Sequence, residues 1–254
     1  MINVGIIGSG SWALALSKIL INSAITIKAR DINKAKKKFY KNRKLLIVSS
    51  FKSLINSDII FLANPSQTMR SVLKEMPKKI NSKFVICCKG VEKNTNMLMS
   101  EVLTEFFPKT DYAILSGPNF SFEVMKGLPT ATVLSSENLK FTKHISEIII
   151  QDKFRTYFNN DVVGTQIGGA MKNVIAIASG FIIGSGLGLN ANASIITRGL
   201  SEIIELGIKM GAKRHTFYGL SGIGDLTLTC TSLKSRNTKL GYLLAKNKKG
   251  FKGK

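Results

Sequence analysis

The first 117 residues of the chain alternate short runs of β-branched residues with stretches of helical pattern. The predicted strands are NVGIIG, AITIKA, DIIFLA, FVICCK and AILSG, and SWALALSKIL after the first of them is a predicted helix. Strands that alternate with helices form βαβ units, which build a parallel sheet buried on both faces. The sequence therefore predicts a doubly wound α/β domain over residues 1–160.

The second part of the chain has a different pattern, which begins near Asp161. Long stretches rich in glycine and alanine carry apolar residues three and four apart, as at Ile203, Leu206 and Met210, and Gly211 follows as a predicted C-cap. This pattern predicts an all-helical domain over residues 161–254. The apolar run 174–189 has 16 residues, which is too short for a membrane span, and we expect none.

Composition narrows the class of protein. The chain has 37 Lys and Arg against 15 Asp and Glu, and a net charge of +22 favours phosphate-bearing partners. We interpret the lysines of residues 34–41 as a lysine-rich surface and expect no nucleic-acid partner. Cys87, Cys88 and Cys230 have no metal-ligand spacing and cannot form an even set of disulfides. We therefore expect no metal site and a reducing, cytoplasmic location.

A glycine motif follows the first predicted strand. In GSGSWA, Gly8 allows a tight turn, Gly10 allows backbone to approach a pyrophosphate, and Ala13 allows close packing of helix and strand. The amino end of the helix adds N–H groups and a positive dipole for the phosphates. The motif predicts a dinucleotide site, and an ordinary strand-to-helix turn is the alternative.

The second strand ends at Lys28-Ala29-Arg30-Asp31, where NAD-specific domains carry an acid for the ribose 2′-hydroxyl. Arg30 suits a 2′-phosphate, and Asp31 suits the cap of the next helix. NADPH is therefore the predicted cofactor, with NADH as the alternative. The other interpretation of Arg30 is a surface cation in a basic chain.

Proton transfer in this chain falls to a lysine or a carboxylate, because His144 and His215 have no partner motif. Lys172 is the best candidate lysine, since two glycines precede it and a helix of small residues follows. A lysine that extends from a helix end to solvent is its alternative interpretation. Lys89 follows a predicted strand, where open α/β sheets place ligand-facing residues.

The segment LSGIGDLTLTCTSLKSRN brings an acid, a basic residue and several hydroxyl groups onto a glycine-rich turn. Asp225, Arg236 and Asn237 are residue types that suit a small phosphorylated substrate. Polar caps at the start of a helix are the alternative explanation, because Gly-Asp and Ser-Arg-Asn are common in loops.

Seven stretches follow the order and wording of one family: GSGSWA, ANPSQTMRSVL, CCKGVE, LSGPNFSFEVMKGLPTA, GGAMKNVIAIASG, ITRGLSEIIELG and GIGDLTLTCTSLKSRN. Over nearly its whole length the chain resembles the bacterial type of NAD(P)-dependent glycerol-3-phosphate dehydrogenase. The family reduces dihydroxyacetone phosphate to sn-glycerol 3-phosphate with NADPH or NADH, for glycerophospholipid synthesis. The resemblance implies an N-terminal Rossmann-type domain and a helical substrate domain similar to the C-terminal domain of 6-phosphogluconate dehydrogenase.

The resemblance also implies roles for individual residues. Lys172 resembles the proton donor and acceptor, with Asp225 beside it, and Lys89 lies at the junction of cofactor and substrate. The implied cofactor contacts are Ser11, Trp12, Arg30, Lys89, Ser121 and Arg236. The implied substrate contacts are Lys89, Gly117, Asn119, Lys172, Asp225, Ser235, Arg236 and Asn237.

The chain ends soon after Asn237, where the family continues for roughly a quarter of its usual length. We therefore expect an incomplete helical domain with exposed apolar surface and lowered activity. An inactive relative is one alternative. A hydroxyacid dehydrogenase of the same fold is another, but it would carry carboxylate-binding residues in place of Ser235, Arg236 and Asn237. A homodimer is the expected assembly.

Overall fold

The computed structural model describes residues 1–20, 22–39, 45–149 and 152–247. Two compact units make up the chain, Met1–Val162 and Val163–Lys254. The sequence divided the chain two residues earlier, between 160 and 161. Lys41, and the part of the second predicted domain that follows residue 247, lie outside the described residues.

The first unit is built on one eight-stranded sheet. Its strands are β1 (Ile2–Ile7), β2 (Ser23–Lys28), β3 (Leu45–Val48), β4 (Ile59–Leu62), β5 (Lys83–Ile86), β6 (Tyr112–Ser116), β7 (Thr130–Ser135) and β8 (Phe154–Asn159). Their spatial order is β3-β2-β1-β4-β5-β6-β7-β8. Neighbouring strands are parallel from β3 to β6, whereas β7 pairs antiparallel with β6 and β8 runs parallel to β7. The predicted doubly wound sheet is confirmed, with a reversed pair of strands added at one edge.

Helices cover this sheet on both faces. They are α1 (Ser11–Ile19), α2 (Ile32–Phe39), α3 (Met69–Glu75), α4 (Met99–Phe106), α5 (Ser121–Met125) and α6 (Leu139–Ile148). Alternate residues of β4 enter two separate cores, because successive side chains of a strand point to opposite faces. Ile59 and Phe61 pack with α1 and α6, while Ile60 and Leu62 pack with α3 and α4.

The order of the strands decides where a ligand site can form. β1 lies between β2 and β4, so the chain passes to one side of β1 first and to the other side later. In open α/β sheets, ligands bind at the carboxyl edge beside such a switch point. Gly8 follows β1 at this edge, Lys89 lies beyond β5, and Gly117 follows β6.

The second unit consists of helices. They are α7 (Val162–Ser185), α8 (Gly188–Lys209), α9 (Asp225–Cys230) and α10 (Arg236–Lys246). Glycines let α7 and α10 approach closely, since a Cβ at Gly180 would lie 1.9 Å from the Thr238 carbonyl oxygen. A Cβ at Gly241 would lie 1.9 Å from the Ile177 carbonyl oxygen. The predicted helical domain is confirmed, and Gly211 has a φ of +89° just beyond α8, as a C-cap requires.

The helix α7 is longer than the apolar run that the sequence suggested. By length and composition alone, its 24 residues are apolar enough to cross a membrane. Half of its most apolar window is buried, as in the core helix of a folded domain, so the evidence for a span is weak. Two large apolar side chains of this helix are exposed, Val174 at 59% and Phe181 at 42%.

Candidate active site

The loop between β1 and α1 requires glycine at one position and leaves space at another. Gly8 has a φ of +114°, and a Cβ on it would lie 2.8 Å from the Ala63 carbonyl oxygen. A Cβ on Gly10 would meet no atom within 4 Å. Gly10 is the N-cap of α1 and has no side chain to accept from the first N–H groups of this helix. The loop therefore fits a pyrophosphate held by backbone N–H groups, and Ser11 is exposed at its start.

Trp12 lies inward from this loop. Its side chain is half-buried against the core beneath α1. Burial raises the pKa of the Cys87 thiol well above its usual range, and the Trp12 side chain acts in the opposite direction. The side chain of Trp12 thus holds α1 on the sheet, and its backbone lies at the start of the helix.

The end of β2 adjoins the glycine loop, because the Gly8 N–H donates to the Lys28 carbonyl at 3.0 Å. Arg30 follows and is exposed. Asp31 caps α2, since its Oδ1 accepts from the backbone N–H of Lys34 at 2.9 Å. The predicted role of Asp31 as a helix cap is confirmed. Arg30 is then the first side chain beyond β2 that is open to a ribose substituent.

Lys89, Gly117 and Asn119 come together at the same edge of the sheet. The Lys89 ammonium donates to the Gly117 carbonyl at 3.2 Å. Asn119 Nδ2 donates to the Ala131 carbonyl at 2.9 Å, and its Oδ1 accepts from the Thr132 hydroxyl at 2.9 Å. The Asn119 side chain is therefore tied to β7. Ser121 is half-buried at the start of α5.

The loop after Lys89 is fixed by two side chains, one just before α3 and one in its first turn, which the sequence did not single out. Gln67 Nε2 donates to the Val91 carbonyl at 2.8 Å, and its Oε1 accepts from the Lys93 N–H at 3.1 Å. Arg70 donates to both oxygens of Glu92, at 2.8 to 3.1 Å. Three consecutive positions of the loop are thereby held from the neighbouring segment.

A buried ion pair lies in the second unit. The Lys172 ammonium on α7 donates to Asp225 Oδ1 and, at 2.8 Å, to the Thr229 hydroxyl. Lys172 is 7% exposed and Asp225 is 1% exposed. Thr229 lies one turn after Asp225 on α9 and donates to the Asp225 carbonyl at 2.6 Å. The fold therefore brings together two residues that the sequence predicted, and it adds Thr229.

The start of α10 contains the other predicted residues of this unit. Ser235 is the buried N-cap, and its hydroxyl accepts from the Thr238 N–H at 3.3 Å. Arg236, the first residue of the helix, is exposed. Asn237 donates to the Asn173 side chain at 2.7 Å, next to Lys172 in sequence. Ser235 thus has a structural role in capping, whereas Arg236 extends from a helix start.

Cys230 ends α9 beside the ion pair. Its side chain is fully buried, and burial raises the pKa of its thiol to about 11, although the Lys172 ammonium acts in the opposite direction.

Among the described residues, no group of three or more His, Cys, Asp or Glu side chains could hold a metal ion.

Two family profiles match the chain in succession. The profile described as the N-terminus of NAD-dependent glycerol-3-phosphate dehydrogenase matches residues 3–142. The profile described as the C-terminus of that enzyme matches residues 161–252. The chain belongs to this family. The predicted resemblance is confirmed, and the chain is an oxidoreductase of the glycerol-3-phosphate dehydrogenase family.

Individual members of the glycerol-3-phosphate dehydrogenase family agree with this assignment. The glycerol-3-phosphate dehydrogenase (NAD(P)+) of Clostridium perfringens is 37% identical over 265 residues, which cover 98% of this chain and 80% of the relative. The enzyme of Clostridium botulinum is 39% identical over 261 residues, which cover 96% and 79%. The crystal structure of a glycerol-3-phosphate dehydrogenase from Coxiella burnetii superposes with a TM-score of 0.89 at 31% identity, covering 96% of this chain and 80% of that one.

Proposed function

We propose that this chain reduces dihydroxyacetone phosphate to sn-glycerol 3-phosphate with NADPH, and that Lys172 supplies the proton. NADPH supplies the hydride when it is bound, and NADH is the alternative cofactor. Negative charge develops on the ketone oxygen as the hydride arrives, so a nearby ammonium both stabilises that charge and donates a proton to it. The product supplies glycerophospholipid synthesis.

The observation that carries this proposal is the buried contact between Lys172 and Asp225. A lysine that is 7% exposed would cost free energy as a cation without a carboxylate, and Asp225 provides one on α9. Asp225 pairs with the ammonium and orients it, and the hydroxyl of Thr229 fixes a second direction of the lysine head. We therefore assign proton donation to Lys172 and positioning to Asp225 and Thr229.

Phosphate recognition falls to the start of α10 in this proposal. Arg236 presents a guanidinium from an exposed helix start, and the N–H groups and dipole of the helix favour an anion there. Asn237 contributes an amide that Asn173 orients. Ser235 supports both residues as the N-cap. Binding energy from the phosphate would align the ketone for hydride transfer.

The carboxyl edge of the sheet would hold the cofactor. Gly8 and Gly10 open the loop for the pyrophosphate, and Ser11 and Trp12 offer backbone N–H groups at the start of α1. Arg30 would bind the 2′-phosphate. Further contacts are assigned to Lys89, Gly117, Asn119 and Ser121 along the same edge, with Arg236 as an added cofactor contact.

The catalytic proposal is tested with Lys172→Met. We expect this variant to bind NADPH as the native chain does and to reduce dihydroxyacetone phosphate at least about 100-fold more slowly. Turnover is followed by the absorbance of the reduced nicotinamide, and binding is followed by its fluorescence. Turnover that stays within a factor of about three of the native rate would show that another group donates the proton.

The substrate class is tested with Arg236→Ala. We expect KM to rise far more for dihydroxyacetone phosphate than for dihydroxyacetone, because only the phosphorylated substrate loses a charge-assisted contact. Equal changes of KM for both substrates would show that Arg236 does not bind the phosphate group.

Location and assembly belong to the proposal as well. Cys87, Cys88 and Cys230 are free thiols, which suits the reducing cytoplasm. We propose a cytoplasmic enzyme that acts on a small phosphorylated substrate, with no nucleic-acid partner. A homodimer stays a prediction, which light scattering after size exclusion would measure.

A further inference from the structure

Two lysines of α2 lie on one side of the helix, next to the cofactor edge. Lys34 and Lys38 are four residues apart, so their side chains emerge from the same face. Both side chains are exposed. Lys36 belongs to the same helix and carries the same charge, but its spacing places it on the opposite face, whereas Lys37 lies three residues after Lys34 and beside it.

Lys38 reaches from this face to the glycine loop. Its ammonium donates to the Ser9 carbonyl at 3.2 Å, between Gly8 and Gly10. The loop is joined to the end of β2 by the hydrogen bond from the Gly8 N–H to the Lys28 carbonyl. Lys38 is therefore held where the pyrophosphate loop meets the strand end that carries Arg30.

The charges around Lys38 favour an anion. Its pKa lies below the ordinary value of a lysine, first because its ammonium is partly shielded from solvent and second because of repulsion from the Lys34 ammonium. In the described part of the chain, no carboxylate forms an ion pair with either lysine. The nearest acid in sequence, Asp31, is used as the cap of α2. A dianion would relieve the repulsion between the two ammonium groups.

We propose that Lys38 is a second determinant of NADPH specificity, which binds the 2′-phosphate together with Arg30. This inference rests on the proposed use of NADPH. In Rossmann-type domains the ribose 2′-group lies near the end of the second strand, and the pyrophosphate lies on the glycine loop. The Lys38 ammonium lies between these two points. When the phosphate binds, the ammonium can donate to a charged phosphate oxygen in place of the neutral Ser9 carbonyl, and the new hydrogen bond is stronger.

The test compares Lys38→Met with Lys36→Met, which removes the same charge from the opposite face of the same helix. Dissociation constants are measured by fluorescence for NADPH and NADH, and by calorimetry for 2′,5′-ADP and ADP. We expect Lys38→Met to weaken NADPH and 2′,5′-ADP about tenfold and to change NADH and ADP by less than about twofold. Lys36→Met should leave all four constants within about twofold of the native values.

A conservative variant and a neighbour sharpen the comparison. Lys38→Arg should keep the preference for NADPH, because a guanidinium also reaches phosphate. Lys34→Met should act in the same direction as Lys38→Met but more weakly.

Three results would overturn the proposal. Equal losses for NADPH and NADH in Lys38→Met would show that Lys38 supports the glycine loop only. An unchanged affinity for 2′,5′-ADP in that variant, or equal effects of Lys36→Met and Lys38→Met, would show that this face does not bind the 2′-phosphate. These measurements contain no dihydroxyacetone phosphate, so a chain that shows the expected constants but does not reduce this substrate would refute the catalytic proposal alone.

Discussion

The two units build their candidate sites in opposite ways. In the first unit, the glycine loop presents backbone at an exposed edge, and the space above Gly10 is what fits it for a ligand. In the second unit, the central groups are side chains, and Lys172 and Asp225 are withdrawn from solvent. A ligand can approach the backbone of the first site only because Gly10 has no side chain there. A buried ion pair makes the same two residues responsible for chemistry and for folding.

The largest expected effect is on the buried pair. Asp225→Leu leaves the Lys172 ammonium in its buried position without its carboxylate, so the free energy of unfolding should fall by about 3–5 kcal/mol. Replacing both partners, in the double variant Lys172→Met with Asp225→Leu, should restore most of this loss although it removes activity. Urea unfolding of the single and double variants measures the difference.

A double variant that is as unstable as Asp225→Leu alone would contradict this prediction. It would show that α9 is held by the contacts of the aspartate with its surroundings and not by charge pairing with Lys172.

The next effect separates folding from binding in the first unit. Gly8→Ala places a Cβ on a backbone with φ of +114° and against the Ala63 carbonyl, so stability should fall by about 1–3 kcal/mol. Gly10→Ala adds a methyl group to open space at a φ of −73°, and stability should change by less than about 1 kcal/mol. We nevertheless expect Gly10→Ala to lose most of its NADPH affinity, because the methyl group occupies the approach of the pyrophosphate.

Thermal unfolding and NADPH titration of both variants check this contrast. If the Gly10→Ala variant bound NADPH with the native affinity, the pyrophosphate would not bind at this loop.

The smallest effect concerns the partly exposed pair of Arg70 and Glu92. Hydrogen bonds from Arg70 and then Thr95 lower the pKa of Glu92 in the folded chain. The unfolded chain therefore takes up a proton first as the pH falls, and the contribution to stability disappears as the pH passes through the folded pKa. Arg70→Met should be slightly less stable than the native chain near neutral pH, and the difference should shrink toward about pH 3. Urea unfolding at the two pH values measures it, and a constant difference would assign the effect to packing.

Most of the central sheet could be predicted from the sequence, whereas its edges could not. The predicted runs correspond to β1, β2, β4, β5 and β6. The central strand β4 is buried on both faces and is therefore continuously apolar, whereas β2 alternates buried with partly exposed residues. The edge strand β8, FRTYFN, is largely exposed and carries Arg155 and Asn159, so it has no apolar run to detect. The reversed direction of β7 depends on its connection to β6, which residue types do not encode.

The site shows the same division between local and tertiary information. Gly8 and Gly10 belong to a motif within a few residues, so their conformations could be predicted. Lys172 and Asp225 are 53 residues apart, so their contact could be predicted only from the resemblance to a family and not from local sequence. Thr229 could have been found from its spacing of four residues after Asp225 once α9 was assumed. Gln67 lies in one of the seven family stretches, but its own role could not be predicted, because its partners are in a loop in another part of the chain.

Because Cys230 is buried, the reactivity of its thiol reports local opening of the second unit. A thiol with a pKa of about 11 and no exposed surface reacts with a soluble disulfide only after α9 has moved away from α7. Its rate of modification therefore measures how often the neighbourhood of Lys172 opens, on a timescale of seconds to hours. Ligands that bind beside the Lys172–Asp225 pair should slow this reaction without any change in average structure. The degree of slowing measures how much the ligand raises the free energy of local opening.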